Sequence, residues 1–260
     1  MLTATRLTVG YDRAVPIVSD VDLTLESGRV TALVGANGCG KSTLLRTLAA
    51  LQPALSGTVS VGDTAIGTLT RRELARRVAF LPQAPVVPAG VTVAELVRHG
   101  RYAHTGAFAR HTRVDREAIA WAMDVSDAAG LAGRRIDRLS GGERHRAWLA
   151  VALAQRTDVL LLDEPTTYLD LKHQYEVLDL VRRLADEFGV ACGLVLHDLG
   201  QAAGYADRVA MVAAGRVMAD GPPGDVVTPD TVREAFGMSV AVLRDDDSGQ
   251  VAVVPHRGAR

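Results

Sequence analysis

An apolar run at 29–34 (RVTALV) leads into Gly35-Ala36-Asn37-Gly38-Cys39-Gly40-Lys41-Ser42, after which leucines at 44, 45 and 48 recur on one helical face. Glycines let the backbone turn so that successive amides point inward and nest an anion, and a helix that starts there adds its N-terminal partial charge. Asn37 tolerates left-handed geometry better than most residues with a side chain. Lys41 brings a point charge for β- and γ-phosphates, Ser42 offers a hydroxyl to Mg²⁺, and Thr43 extends the same helical turn. Strand, glycine-rich loop and helix in that order form the P-loop pattern in the context it requires. Composition marks the same place: 27 of the 29 basic residues are arginine, yet Lys41 is one of the two lysines and Asn37 is the single asparagine.

Further along, Val159-Leu160-Leu161-Leu162-Asp163-Glu164 is an apolar strand that ends in two acids. Beside a triphosphate, Asp163 can hold the magnesium's water and Glu164 can polarise an attacking water. Taken alone, the segment reads equally well as a strand with a polar turn. Leu139-Ser140-Gly141-Gly142-Glu143 opens a helix as a capping box, with Ser140 at the N-cap and Glu143 three residues on. Gly141 and Gly142 are poor helix residues, and in a first turn they leave bare amides, as a second anion-binding surface requires.

The elements that must position these groups alternate. Half-buried strands are expected in the opening residues and at 22–26, a central buried strand at 29–34, and a helix at 41–51 ended by Pro53 and Gly57. Short strands follow at 58–61 and 78–81 around a helix near 71–77. Residues 89–155 carry three helical stretches (92–99, 114–123 and 141–155) and no strand pattern. Strands at 158–162, 190–196 and 208–212 then alternate with helices at 171–187 and 199–205. This order predicts a parallel α/β sheet interrupted by a helical insertion. A hairpin of 240–243 against 251–254 is expected to turn through 245–249.

At 260 residues the chain suits one core with a sizeable insertion or satellite subdomain. Its 48% hydrophobic and 23% charged residues exclude disorder throughout, and a net charge of −1 argues against a dedicated nucleic-acid binder. Two cysteines cannot form a disulfide framework, and no leader pattern is apparent, so a reducing compartment is expected. The longest apolar run, 147–154, is too short to span a bilayer, so any membrane role must go through a partner.

P-loop, LSGG signature and DE-terminated strand, in this order, resemble the nucleotide-binding subunit of an ABC transporter over nearly the whole chain. The resemblance implies an α/β P-loop NTPase of the ABC ATPase fold, a RecA-like core with an antiparallel β subdomain plus an inserted α-helical subdomain. It divides the chain into core (1–88 and 155–225), helical signature subdomain (89–154) and a C-terminal helix and hairpin (226–260). By the same resemblance Tyr11 stacks on adenine, Gln83 senses magnesium and the γ-phosphate, Leu169-Asp170 is the D-loop, and His197 is the switch histidine. ATP and Mg²⁺ are the implied ligands, with Gly35, Asn37, Gly38, Cys39, Gly40, Lys41, Ser42 and Thr43 around the phosphates and Ser42, Gln83 and Asp163 towards the metal. Two subunits are expected to dimerise head to tail, so that Ser140, Gly141 and Gly142 of one face the ATP held by Lys41 of the other. Transmembrane permease subunits, and indirectly an extracytoplasmic binding protein, are the implied partners, which places the chain on the cytoplasmic face of the membrane.

Finer stretches resemble ATPases of iron–siderophore importers: Gly100-Arg101-Tyr102, Arg146-Ala147-Trp148, Glu164-Pro165-Thr166-Thr167-Tyr168-Leu169-Asp170 and Val195-Leu196-His197-Asp198-Leu199. Cobalamin and haem importers use closely related subunits, and their cargoes stay open as alternatives. Position 143 departs from the family, with Glu where most members have Gln, and is read as the cap partner of Ser140. Non-transport ABC modules need a long coiled-coil insertion or tandem cassettes, and a P-loop kinase has no reason for LSGGE, Gln83 or His197. Residues 98–116 hold five arginines, three histidines and one acid, read either as a solvated helix face or as a surface towards the permease and lipid headgroups, with Arg101 and Arg110 at the contact. Cys39 is expected to react with alkylating agents unless MgATP protects it, and Cys192 to be an inert core thiol.

Overall fold

Strands that are apolar on both faces have to be covered on both faces. Val30–Val34, Val159–Asp163 and Ala191–Val195 are buried at every position. The computed structural model describes residues 1–12, 15–106, 110–245 and 251–256, and sets these three strands at the centre of a six-stranded sheet.

Strands β1 (Leu2–Val9) and β2 (Val18–Leu25) pair antiparallel in a separate four-stranded sheet. β3 (Val30–Val34) enters the main sheet, then β4 (Ser56–Val61) and β5 (Thr64–Ala65) return to the first, giving the order β2-β1-β4-β5. The main sheet adds β6 (Val78–Leu81), β7 (Val159–Asp163), β8 (Ala191–Val195), β9 (Arg208–Ala213) and β10 (Arg216–Gly221), in the order β10-β9-β3-β8-β7-β6. All its neighbours are parallel except β9 and β10.

The period-2 alternation of β3 divides the interior into two layers. Val30, Ala32 and Val34 face the core shared with α6 (Gly141–Ala154) and α7 (Leu171–Phe188). Leu33 faces the opposite core, where Leu44, Leu45 and Leu48 of α1 (Lys41–Leu48) lie under β1 and β2. α1 is shorter than the expected 41–51, because Ala50 turns to a φ of 53° and the Leu51 amide reaches back to the Arg46 carbonyl. The short α2 (Arg71–Ala75) precedes β6.

Among the described residues, 89–154 hold helices and no strand beyond an isolated bridge between Thr92 and Arg135. They contain α3 (Val93–His99), α4 (Tyr102–Thr105), α5 (Arg113–Val125) and α6; the sequence pattern had not indicated α4. After β8 come α8 (Leu199–Tyr205), the β9–β10 hairpin, α9 (Pro223–Val226), α10 (Pro229–Phe236), and the expected hairpin of β11 (Val240–Arg244) with β12 (Val251–Pro255). Beyond Asp245 the anticipated turn lies outside the described residues. No helix among the described residues is long and apolar enough to cross a membrane.

Arg101 is a correction. Expected at a partner contact, it is only 4% exposed. Its Nε donates to Asp115 Oδ1 at 2.9 Å and its Nη1 to the carbonyls of Ala154 and Gln155 at 2.9 and 3.3 Å. The guanidinium therefore closes the C-terminus of α6, where orphan carbonyls and the helix dipole both favour a cation. Burial pushes the Asp115 carboxyl up, but hydrogen bonds from Thr112 and the Arg101 charge overcome it and leave the group at about 2.

Candidate nucleotide-binding site

Parallel strands deliver their C-terminal ends to one edge of a sheet, the usual place for a ligand in an open α/β fold. Here β3 ends at the glycine-rich loop, β7 at Asp163 and Glu164, and β8 two residues before His197. Two glycines of the loop are obligatory. Gly35 has a φ of 149°, and a Cβ there would sit 2.1 Å from the Val212 carbonyl oxygen; Gly40 has a φ of 105° and would drive a Cβ to 2.5 Å from Val18 Cγ2.

Among the described helices of eight or more residues, α1 alone has no side-chain cap at its N-terminus. The others have Thr112, Ser140, Asp170 and Thr228 in that role. The first amides of α1 are thus left for an anion, with the partial positive charge of the helix behind them. Lys41 opens that helix and is nearly buried, its ammonium donating to the Gly35 and Ala36 carbonyls at 2.8 and 2.9 Å. These bonds hold the charge over the loop.

Ser42 Oγ donates to Asp163 Oδ1 at 2.6 Å, joining the loop to the end of β7. The other oxygen, Asp163 Oδ2, is buried without a hydrogen-bond partner, and the Arg46 guanidinium stands 3.5 Å from it. Burial raises the Asp163 pKa, against the Ser42 hydrogen bond and the Arg46 charge. A half-satisfied buried carboxylate beside a hydroxyl, both oxygen donors, fits a hard divalent cation such as magnesium. Among the described residues no three His, Cys, Asp or Glu side chains cluster to chelate a metal by themselves.

Glu164 follows with a φ of 52°, a left-handed turn that lifts its side chain off the strand. Gln83 Nε2 donates to Glu164 Oε2, and Thr167 Oγ1 donates to the same oxygen at 3.1 Å. His197 Nε2 lies 2.7 Å from the other oxygen, Oε1. Two segments distant in sequence, at Gln83 and His197, converge with the local Thr167 on one carboxylate.

Tyr11, Asn37, Gly38, Gly40, Lys41, Ser42, Thr43, Gln83, Glu164 and His197 line a single hollow of about 430 Å³, with Ile17. Tyr11 stands at its rim, 74% exposed, where a flat ring could stack on its face. Asn37 and His197 also border a second hollow, with Gly35, Ala36 and Phe236. Cys39 lies under the loop, its Sγ 3.9 Å from Lys41 Nζ.

Ser140, Gly141, Gly142 and Asp170 do not line that hollow. Ser140 and Gly141 are exposed at the tip of α6, and Asp170 caps α7 by accepting from the His173 amide at 3.0 Å. Glu143 is the cap partner of Ser140: its Oε2 accepts from the Ser140 amide and hydroxyl at 2.9 and 3.0 Å, and its other oxygen pairs with Arg134. Thr167, Ile17 and Phe236 escaped the sequence reading. Thr167 had a usable signal, three residues after Glu164 across a turn, whereas Ile17 and Phe236 reach the site only through tertiary folding.

With fold and site in view, the chain belongs to the ABC transporter family, as an ATP-hydrolysing cassette: the ABC transporter model matches residues 18–167. It is 42% identical to the probable siderophore transport system ATP-binding protein YusV of Bacillus subtilis, over 98% of this chain and 92% of that protein. It is 46% identical to the hemin import ATP-binding protein HmuV of Streptomyces coelicolor, over 93% of this chain and 85% of that protein. Among solved structures, an ABC transporter in an inward-facing conformation, assigned to the metal-chelate type, superposes with a TM-score of 0.85 at 26% identity, covering 99% of this chain and 98% of that one.

Proposed function

We propose that the chain binds ATP with magnesium in the hollow between Tyr11 and Glu164, hydrolyses it between two copies of itself, and so energises uptake of a ferric siderophore through a separate permease. The observation that carries this reading is the convergence of Gln83, Thr167 and His197 on Glu164 at the edge of the uncapped α1, with Ser42 bonded to Asp163 beside it.

In this reading the bare amides of α1 and Lys41 hold the phosphates, Tyr11 supports the base, and Ser42, Asp163 and Gln83 face the metal. Magnesium bound there would neutralise phosphate charge as the terminal bond breaks. Glu164 is the base that takes a proton from the attacking water. His197 and Gln83 orient its carboxylate and respond to the terminal phosphate.

The dimer follows from an incomplete site. Ser140 and Gly141 are exposed, and they and Gly142 do not line the hollow of their own chain, so a second copy related head to tail would bring them to its nucleotide. Each triphosphate would then lie between two helix N-termini, and ATP would favour the closed pair by its greater affinity for it. Residues 89–154 act as the subdomain that carries the signature, hinged near Gln83. The permease holds the chain at the cytoplasmic face of the membrane, and an extracytoplasmic binding protein delivers the cargo.

The relatives named for siderophore transport support a ferric siderophore as cargo, and the 46% identity to a hemin import protein supports haem as the second reading. The test is uptake into vesicles holding this chain assembled with its permease. ATP-driven accumulation of radiolabelled ferric siderophore, and not of labelled haem or cobalamin, is expected. Haem uptake alone would overturn the cargo, and no ATP hydrolysis in the assembled complex would overturn the whole reading.

A further inference from the structure

Within the signature tip, Gly142 is backed by α7 and Gly141 is not. A Cβ built on Gly141 would meet nothing within 4 Å, whereas one on Gly142 would come within 3.1 Å of His173 Cδ2 and 3.3 Å of His173 Nε2. The imidazole of α7 therefore lies directly against the Gly142 backbone of α6. Its opposite edge is tied down: His173 Nδ1 is 2.7 Å from Asp170 Oδ1, the oxygen that also accepts from the His173 amide. Those two hydrogen bonds hold the Asp170 carboxyl below the usual carboxylate range, which keeps it charged and a good acceptor. Because a carboxylate can only accept, Nδ1 carries the proton and the ring has a defined orientation.

We propose that His173 is a positioning residue: a spacer between Asp170 and Gly142 that sets how the D-loop and the signature tip of one chain are presented together to the second copy. This rests on the reading of a head-to-tail dimer given above. In that dimer both Asp170 and the signature face the second copy, while His173 itself stays behind them and reaches no nucleotide. A Cβ at 142 would press on the His173 ring, which would have to give by a few tenths of an ångström against the bonds that hold it. The ring completes the rear of the signature. If it is removed, the Gly142 backbone loses the side chain packed against it and the two surfaces can drift apart. Misplacing groups by about an ångström can cost on the order of a hundredfold in rate.

The test uses the chain assembled with its permease. His173→Ala should leave the affinity of the isolated chain for a fluorescent ATP analogue unchanged, because none of these residues lines the hollow. It should lower the ATPase rate of the complex on the order of tenfold or more, and it should reduce the ATP-trapped dimer formed in a Glu164→Gln background. His173→Phe, which keeps a ring against Gly142, should recover more of that dimer than His173→Asn, which offers an N–H to Asp170 but falls short of Gly142. Wild-type rates and dimer yields in all three variants would overturn the proposal. So would a loss of activity that only follows a loss of thermal stability or of single-chain nucleotide affinity, the mark of a general structural role. A wild-type complex that does not hydrolyse ATP, or a Glu164→Gln chain that never dimerises, would instead sink the dimer reading itself.

Discussion

His197 Nε2 lies 2.7 Å from Glu164 Oε1, while Gln83 and Thr167 both donate to the other oxygen of the same carboxylate. The carboxylate proposed as the base is thus oriented from both sides. Glu164→Gln preserves the shape and most of these contacts but cannot take a proton. Nucleotide binding should persist, hydrolysis should fall by about 10²–10⁴-fold, and an ATP-bound dimer should accumulate on size-exclusion chromatography. A rate within a few fold of wild type would remove Glu164 from the role of base.

Cys39 sits where a small group is tolerated and a larger one is not. Its Sγ would lie 2.8 Å from a Cβ on Gly35 and is 3.9 Å from the Lys41 ammonium. An alkyl adduct there must displace the lysine or the loop, so modification should abolish nucleotide binding, and MgATP should slow it. Cys192 should stay unmodified in the folded chain, because it is fully buried and burial pushes its thiol up to about 12. Mass spectrometry of the alkylated protein, with and without nucleotide, reads both sites. Equal labelling of Cys39 under the two conditions would contradict the proposed phosphate site.

What was legible in the sequence is what local rules dictate. β3, β7 and β8 were readable because strands buried on both faces are apolar throughout, and the loop after β3 because its glycines are forced by positive φ and backbone contact. The Ser140–Glu143 box was readable because its partners are three residues apart. β10 was missed because all but one of its six residues are exposed or half-exposed and they pair only with β9, through the tight Ala214-Gly215 turn. Arg101 was misplaced for a different reason. Its carbonyl partners at Ala154 and Gln155 lie 53 and 54 positions away, and no charge pattern reports an acceptor that belongs to the main chain.

Arg101→Glu should therefore be a stability variant. It puts a second carboxylate beside Asp115 in a buried position and removes the cation from the end of α6. Breaking a buried pair by losing one partner costs about 3–5 kcal/mol, and the repulsion adds to that. The purified variant should melt well below wild type even without the permease. Arg110→Glu, at an exposed position, should leave the melting temperature unchanged. A soluble Arg101→Glu chain of wild-type stability that failed only to bind the permease would restore the partner-contact reading.

His145 gives the fold a pH dependence whose sign can be worked out. It lies on α6 beneath the signature, its Nε2 buried without a hydrogen-bond partner, and burial lowers its pKa from 6.5 to about 4. In the unfolded chain the ring takes a proton near pH 6.5, while in the folded chain it stays neutral until about pH 4. The unfolded state therefore binds more protons between those values, and stability falls as pH drops through that window; above it the contribution is full, and below it the loss levels off. At pH 5 the deficit from this group is at most about 2 kcal/mol. His145→Gln has no ring to titrate and removes this term, while every other titrating group stays the same. Urea midpoints measured at pH 7.5 and pH 5 should accordingly separate more for wild type than for the variant. Equal acid sensitivity in the two proteins would mean that His145 does not resist protonation in the fold.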